Sequence, residues 1–91
     1  MTTTAQVLDA AADYLQATPG LTSATAAVLW SPGPYRFEER LKALVTLAEV
    51  VNAGPLDWEA AGRTESEAVW ALRVAARHAD TRDQQQRRPG A

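Results

Sequence analysis

Few side chains in this sequence could take part in acid–base or nucleophilic chemistry. Two pairs of carboxylates lie close together in the chain, Asp9 with Asp13 and Glu65 with Glu67, and His78 is the one histidine among 91 residues. Carboxylates four residues apart share the polar face of a helix, where they are normally solvated. His78 lies near a helix end, where the helix dipole favours a cation. Because no serine–histidine–aspartate or cysteine–histidine set is present, the sequence predicts a protein that is not an enzyme.

The same side chains make a poor set for a metal or a cofactor. The sequence has no cysteine, so thiolate ligands and disulfides are excluded. One imidazole with carboxylates alone is a weak combination for a transition metal. The sequence also lacks a glycine-rich phosphate loop and a histidine–glutamate metal motif. We therefore expect no catalytic residue, no metal ligand and no cofactor.

Arginine side chains offer another chemistry, the binding of phosphate groups. The net charge is −2, but the first 60 residues carry 3 basic and 7 acidic side chains, and the remaining 31 carry 6 and 4. Segment 57–79 has the outline of a degenerate helix-turn-helix, in which Arg63, Arg73 and Arg77 would face nucleic acid. The second helix of that motif would begin with two carboxylates, which phosphates repel. A small DNA-binding transcriptional regulator is therefore the alternative function. The simpler interpretation of these arginines is that they are solvated and compensate the helix dipole.

These charged side chains are carried by helices that proline and glycine separate. Apolar residues recur at three- and four-residue steps, and alanine, the strongest helix former, accounts for 19 of 91 residues. The segment 23–30 is apolar on nearly all sides, so a buried strand is the alternative there. The sequence predicts long helices over about 4–17, 35–52 and 64–82, a short helix over 23–30, and a single turn over 58–61 capped by Asp57.

The last long helix has the clearest start. Thr64 precedes Glu67 by three residues, the spacing at which a hydroxyl and a carboxylate cap a helix reciprocally. Beyond Arg82 the chain is polar, and we expect it to fray. Residues 1–82 are therefore predicted to form one all-α domain, a small antiparallel bundle of three to four helices. A polar, disordered tail is predicted over 83–91.

The third predicted helix has an unusually wide apolar surface. Its main stripe, which we expect to face the core, consists of Phe37, Leu41, Leu44, Ala48 and Val51. Val45 and Leu47 widen this stripe, so that a second apolar side is left over. The last long helix is similarly wide.

An apolar surface wider than one face requires either a central position in the bundle or a partner. Because two helices share this property, the sequence predicts a small protein-interaction module, an adaptor, regulator or assembly factor. A symmetric homodimer formed by the third and last long helices is the expected assembly. The predicted interface residues are Trp70, Val74, Val45, Leu47 and Trp58.

The proline-rich turn after residue 30 carries an aromatic side chain at each end. We expect Trp30 and Tyr35 to fasten the neighbouring helices around this turn, and a recognition surface with Trp30 at its rim is the alternative.

The composition also bears on location and origin. No apolar run approaches the length that spans a bilayer, and the N-terminal residues do not resemble a signal peptide, so we expect a cytoplasmic protein. Eight arginines against one lysine, together with the high alanine content, are typical of high-GC bacterial or phage sequences.

Overall fold

A computed structural model describes residues 3–86, and the chain is all-helical over that range, without a strand. Its helices are α1 (Thr4–Ala17), α2 (Ala24–Trp30), α3 (Phe37–Val51), α4 (Pro55–Ala60) and α5 (Glu65–Gln86). In the ambiguous segment 23–30, residues Ala24–Trp30 form a helix and not a strand. Ser23 is the N-cap of this helix, and its hydroxyl accepts the N–H of Ala26 at 3.1 Å.

The short helix α4 begins earlier than predicted. Pro55 occupies its first position and Gly54 its N-cap, so Asp57 lies within the first turn instead of capping it. Proline fits this position because its φ angle is already helical and the first helical amides have no partner within the helix.

Helix α5 continues past its predicted end at Arg82. It runs through Gln86, and the amide nitrogen of Gln84 donates to a carboxylate oxygen of Asp80 at 3.2 Å, one turn earlier. Glutamine is a good helix former, so a polar segment can extend a helix without packing against the core. Residues 83–86 are therefore helical, and the part of the tail prediction that concerns 87–91 lies outside the described residues.

The first turn of α2 is tied to α4 by one carboxylate. A side-chain oxygen of Glu59 accepts the backbone N–H of Thr25 at 2.7 Å, and the other accepts the hydroxyl of Ser23 at 2.9 Å. A negative charge at a helix start satisfies free N–H groups and complements the positive end of the helix dipole. Helix α2 has no acidic residue of its own in this turn, and α4 supplies one.

The other end of α2 is tied to α3 by a guanidinium group. Arg40 donates to the carbonyl oxygens of Val28 and Ser31, each at 2.8 Å, and to the hydroxyl of Ser31 at 3.2 Å. The same guanidinium lies 5.6 Å from the centre of the Tyr35 ring. A cation at a helix C-terminus satisfies the free carbonyls and complements the dipole. The seven residues of α2 are thus held at both ends by charges from other helices.

The core is built around α1 and α5, which share the most extensive contact. Small alanine side chains dominate the buried face of α5, whereas the buried face of α1 combines Ala11 and Ala12 with Val7, Leu8 and Leu15. The largest apolar side chains that are completely buried are Leu8, Leu15, Leu47 and Leu72.

Helix α3 is rotated relative to the sequence prediction. Its buried side chains are Ala43, Thr46 and Leu47, whereas Phe37 and Leu41 of the predicted core stripe are exposed. The reason is that Arg40, Ala43 and Leu47 share one face of the helix, and the bonds of Arg40 to the end of α2 hold that face inward.

The start of α5 has the predicted reciprocal cap. The Thr64 hydroxyl accepts the Glu67 N–H at 3.2 Å, and a Glu67 carboxylate oxygen accepts the Thr64 N–H at 3.3 Å. This backbone bond, followed by the hydrogen bond from Arg63, lowers the pKa of Glu67 below its usual value. The contribution of the ionised carboxylate to stability is therefore present above the ordinary carboxyl pKa, and it is lost as the pH falls through the lowered one.

We expect Thr64→Ala to reduce the free energy of unfolding by about 1 kcal/mol, because amides at the start of α5 lose their acceptor. Urea unfolding followed by circular dichroism measures this difference. Thr81→Ala is the matched control, since Thr81 is exposed within the same helix and alanine is the better helix former there. Equal losses of stability in the two variants would contradict a capping role for Thr64.

Candidate interaction surface

Three large apolar side chains form an exposed row on the outer face of α3. Phe37, Leu41 and Val45 follow one another at four-residue intervals, and their exposed fractions are 64%, 43% and 59%. Residues spaced in this way lie above one another on a helix, so the three side chains make a continuous ridge. We call these three residues the α3 strip. Val45 is among the predicted interface residues, whereas Phe37 and Leu41 were expected in the core.

The α3 strip is bordered on one side by charged residues. Glu38 and Lys42 each follow a member of the strip by one position, and both are exposed. Among residues 3–86, neither of them forms an ion pair. Beside Leu41 and Val45 the surface forms a shallow, mainly apolar groove.

The far wall of this groove is held by contacts between α3 and α5. Arg82 donates to a Glu49 carboxylate oxygen at 3.2 Å and to the hydroxyl of Thr46 at 2.9 Å. His78 contacts the same carboxylate, and its Nε2 atom is 3.5 Å from one of the Glu49 carboxylate oxygens. These contacts fix the α3 strip relative to α5.

Two of the predicted interface residues lie in the core instead. Leu47 has no exposed surface, because it lies on the inward face of α3 with Ala43. Trp58 is 9% exposed, and the guanidinium of Arg63 stacks over its ring at 4.6 Å from the centre. Neither side chain is accessible to a partner in this structure.

The other predicted interface residues are on a different helix from the strip. Trp70 is 60% exposed on α5, and Val74, one turn further on, is half-buried. Trp70 lies beside Val69 at the rim of a cleft that Gln16 of α1 also lines. Around Trp70 the neighbouring valines are half-buried, whereas the row on α3 consists of three large apolar side chains that are all exposed.

Within the described range 3–86, two further large apolar side chains are exposed on other helices. Trp30 is 70% exposed and Leu56 is 69% exposed, on α2 and α4 respectively. Trp30 therefore does not fasten helices together as expected. Tyr35 does so instead, because its ring packs against the core and carries the guanidinium of Arg40.

Two of the three arginines considered for nucleic acid are engaged by groups of the chain itself. The guanidinium of Arg63 donates to the carbonyl of Trp58 at 3.1 Å and to the carboxylate of Glu67 at 3.3 Å. Arg77 is exposed on α5. The structure therefore does not bring the three guanidinium groups together on one free surface.

Arg73 joins the predicted carboxylate pair of α1. It donates to Asp13 at 2.6 Å, to Asp9 at 3.0 Å and to the side-chain oxygen of Gln16 at 3.2 Å. The bonds to Asp13 and then Asp9 raise the pKa of Arg73 above its usual value. Asp9 and Asp13 thus join α1 to α5 through Arg73.

Over residues 3–86, no group of three or more histidine, aspartate and glutamate side chains is placed to hold a metal ion. Of the helices in the same range, none combines the length and the apolar character that a membrane crossing requires. The sequence matches no protein-family model, no curated protein and no solved structure.

Proposed function

We propose that this chain is a small non-enzymatic protein-interaction module that associates with a second copy of itself through the α3 strip. The observation that carries the proposal is the exposed row of Phe37, Leu41 and Val45. Single exposed apolar side chains are common on protein surfaces, but a continuous ridge of large ones is typical of an interaction site. This favours α3 over Trp70, Trp30 or Leu56 as the centre of the interface.

The charges beside the strip favour a second copy as the partner. A surface that binds a highly charged partner carries mainly the opposite sign of charge. The border of the α3 strip carries one charge of each sign, Glu38 and Lys42, and the groove beside it adds the pair of Glu49 and Arg82, so the charges are balanced and the surface is complementary to itself. Such self-complementarity is what a two-fold symmetric interface requires.

The expected affinity is modest. Complete burial of a large apolar side chain contributes about 1.5–3 kcal/mol, and the strip is about half exposed in each copy. Association costs about 4 kcal/mol or more in lost freedom of movement. We therefore expect a weak dimer, with a dissociation constant of about tens of micromolar at the tightest.

Sedimentation equilibrium at low micromolar, high micromolar and low millimolar concentration tests this proposal. We expect the average molecular mass to rise with concentration, from the mass of one chain toward the mass of two chains. A mass that stays at one chain over the whole range would contradict self-association.

We also propose that α1 and α5 run in opposite directions, which the clefts between them support. One cleft between them is lined by Gln16, at the end of α1, and by Glu65, at the start of α5. Another cleft is lined by Ala5, at the start of α1, and by Asp80, in the later part of α5. These contacts support an antiparallel pair, and we include this arrangement in the proposal. We also propose a cytoplasmic location, with which the absence of cysteine is compatible.

A further inference from the structure

We propose that the two copies pair α3 against α3 in antiparallel orientation, with Leu41 on the two-fold axis. This inference rests on the proposed self-association and specifies its geometry. When Leu41 of one copy meets Leu41 of the other in an antiparallel pair, the residues four before and four after it face each other. Phe37 then packs against Val45 of the second copy, so the largest member of the strip meets the smallest.

The spacing within the strip supports a contact centred on one point. Side chains at four-residue intervals form a ridge that is inclined to the helix axis, and two such ridges pack with their helices crossed at about 50°. Crossed helices separate with distance from the crossing point. The side chains within one turn of Leu41 therefore determine the contact, and these include both Glu38 and Lys42.

The charges distinguish antiparallel from parallel pairing. Glu38 and Lys42 lie on the same side of the strip, since they are one turn apart on α3. In an antiparallel two-fold pair, this side of one copy lies next to the same side of the other. Glu38 of each copy then lies near Lys42 of the other, and two ion pairs form. In a parallel pair, the charged side would lie next to the uncharged side that carries Leu44 and Ala48.

Cysteine cross-linking tests the position of the axis, because the natural sequence has no cysteine to interfere. A disulfide forms only between cysteines whose Cα atoms are within about 7 Å of each other. We expect Leu41→Cys to form covalent dimers on mild oxidation, and Val45→Cys alone to form few. An equal mixture of Phe37→Cys and Val45→Cys is expected to form mixed dimers. Leu56→Cys is the control, since it is an exposed apolar position on another helix.

Charge exchange tests the orientation without a covalent bond. The Glu38→Lys variant carries two positive charges, at positions 38 and 42, and the Lys42→Glu variant carries two negative ones. In a homodimer of either variant, position 38 of each copy would therefore face a like charge at position 42 of the other. When the two variants are mixed, opposite charges would face each other twice, and we expect association about tenfold stronger than for either variant alone. The association should be measured at low ionic strength, where ion pairs at the surface are least screened. A mixture of Glu65→Lys with Lys42→Glu is the control, since Glu65 is exposed away from α3.

The outcomes separate this inference from the function on which it rests. Selective cross-linking at Leu41 together with preferred mixed dimers supports the antiparallel pair. If the wild-type protein dimerises but Val45→Cys cross-links with itself as readily as Leu41→Cys, the pairing is parallel and this inference is wrong. If the wild-type dimer forms but mixing the charge variants gives no preference, the inference also fails. A wild-type protein that remains monomeric overturns both proposals.

Discussion

Leu41→Lys is expected to abolish self-association while leaving the fold intact. The substitution removes a large apolar side chain from the centre of the α3 strip and places two like charges opposite each other in the dimer. We expect the dissociation constant to rise about a hundredfold or more, since about 3 kcal/mol of apolar contact and charge repulsion are involved. Because Leu41 is 43% exposed in the single chain, the free energy of unfolding should change by no more than about 0.5 kcal/mol. Sedimentation equilibrium and urea unfolding measure the two quantities.

Leu56→Lys is the matched control for this experiment. Leu56 is even more exposed, at 69%, and it lies on α4 rather than α3. We expect Leu56→Lys to dimerise like the wild-type protein. A loss of dimer that is equal in the two variants would show that general surface hydrophobicity, and not the α3 strip, drives association.

Arg40→Ala is expected to destabilise the fold by about 2–3 kcal/mol, because hydrogen bonds to a charged group are stronger than neutral ones. The substitution removes three hydrogen bonds at the end of α2 and the cation from the Tyr35 ring. For a domain of this size the whole stability is about 5–10 kcal/mol, so the loss should be evident in thermal or urea unfolding. Arg40→Lys should recover only part of it, because an ammonium group cannot reach both carbonyl oxygens with a planar fork.

Arg77→Ala is the control for the loss of a positive charge. Arg77 is exposed on α5, so we expect its removal to change the free energy of unfolding by less than about 0.5 kcal/mol. If Arg40→Ala were as stable as Arg77→Ala, the guanidinium would not hold α2 against α3. The explanation given for the rotation of α3 would then fail as well.

The parts of the fold that depend on neighbouring residues in the chain could be predicted from the sequence. The spacing of Thr64 and Glu67 predicted the start of the last helix, and the structure confirms both halves of the cap. The helical state of 23–30, which periodicity alone left open, is confirmed too. Its capping hydroxyl, Ser23, was visible in the sequence, but the carboxylate of Glu59 that completes the cap was not.

The rotation of α3 could not be predicted from periodicity. Its apolar residues are so numerous that several rotations would bury a similar area, and hydrophobic spacing does not choose between them. A polar residue makes the choice, because the carbonyl oxygens to which Arg40 donates lie at the end of α2. For this reason Phe37 and Leu41 were expected in the core and Leu47 at an interface, whereas the structure exposes Phe37 and Leu41 and buries Leu47. An arginine in line with Ala43 and Leu47 was the one signal that could have indicated the inward face.

Nuclear magnetic resonance of the methyl groups during dilution is the most direct test of the central claim that the α3 strip is covered by a second copy. The account predicts that the Leu41 and Val45 methyl signals shift together as the protein is diluted from millimolar to low micromolar concentration. The Leu56 methyl signals should stay in place over the same range. Signals of Leu41 and Val45 that do not change with concentration, or shifts that occur instead around Trp70, would contradict the account.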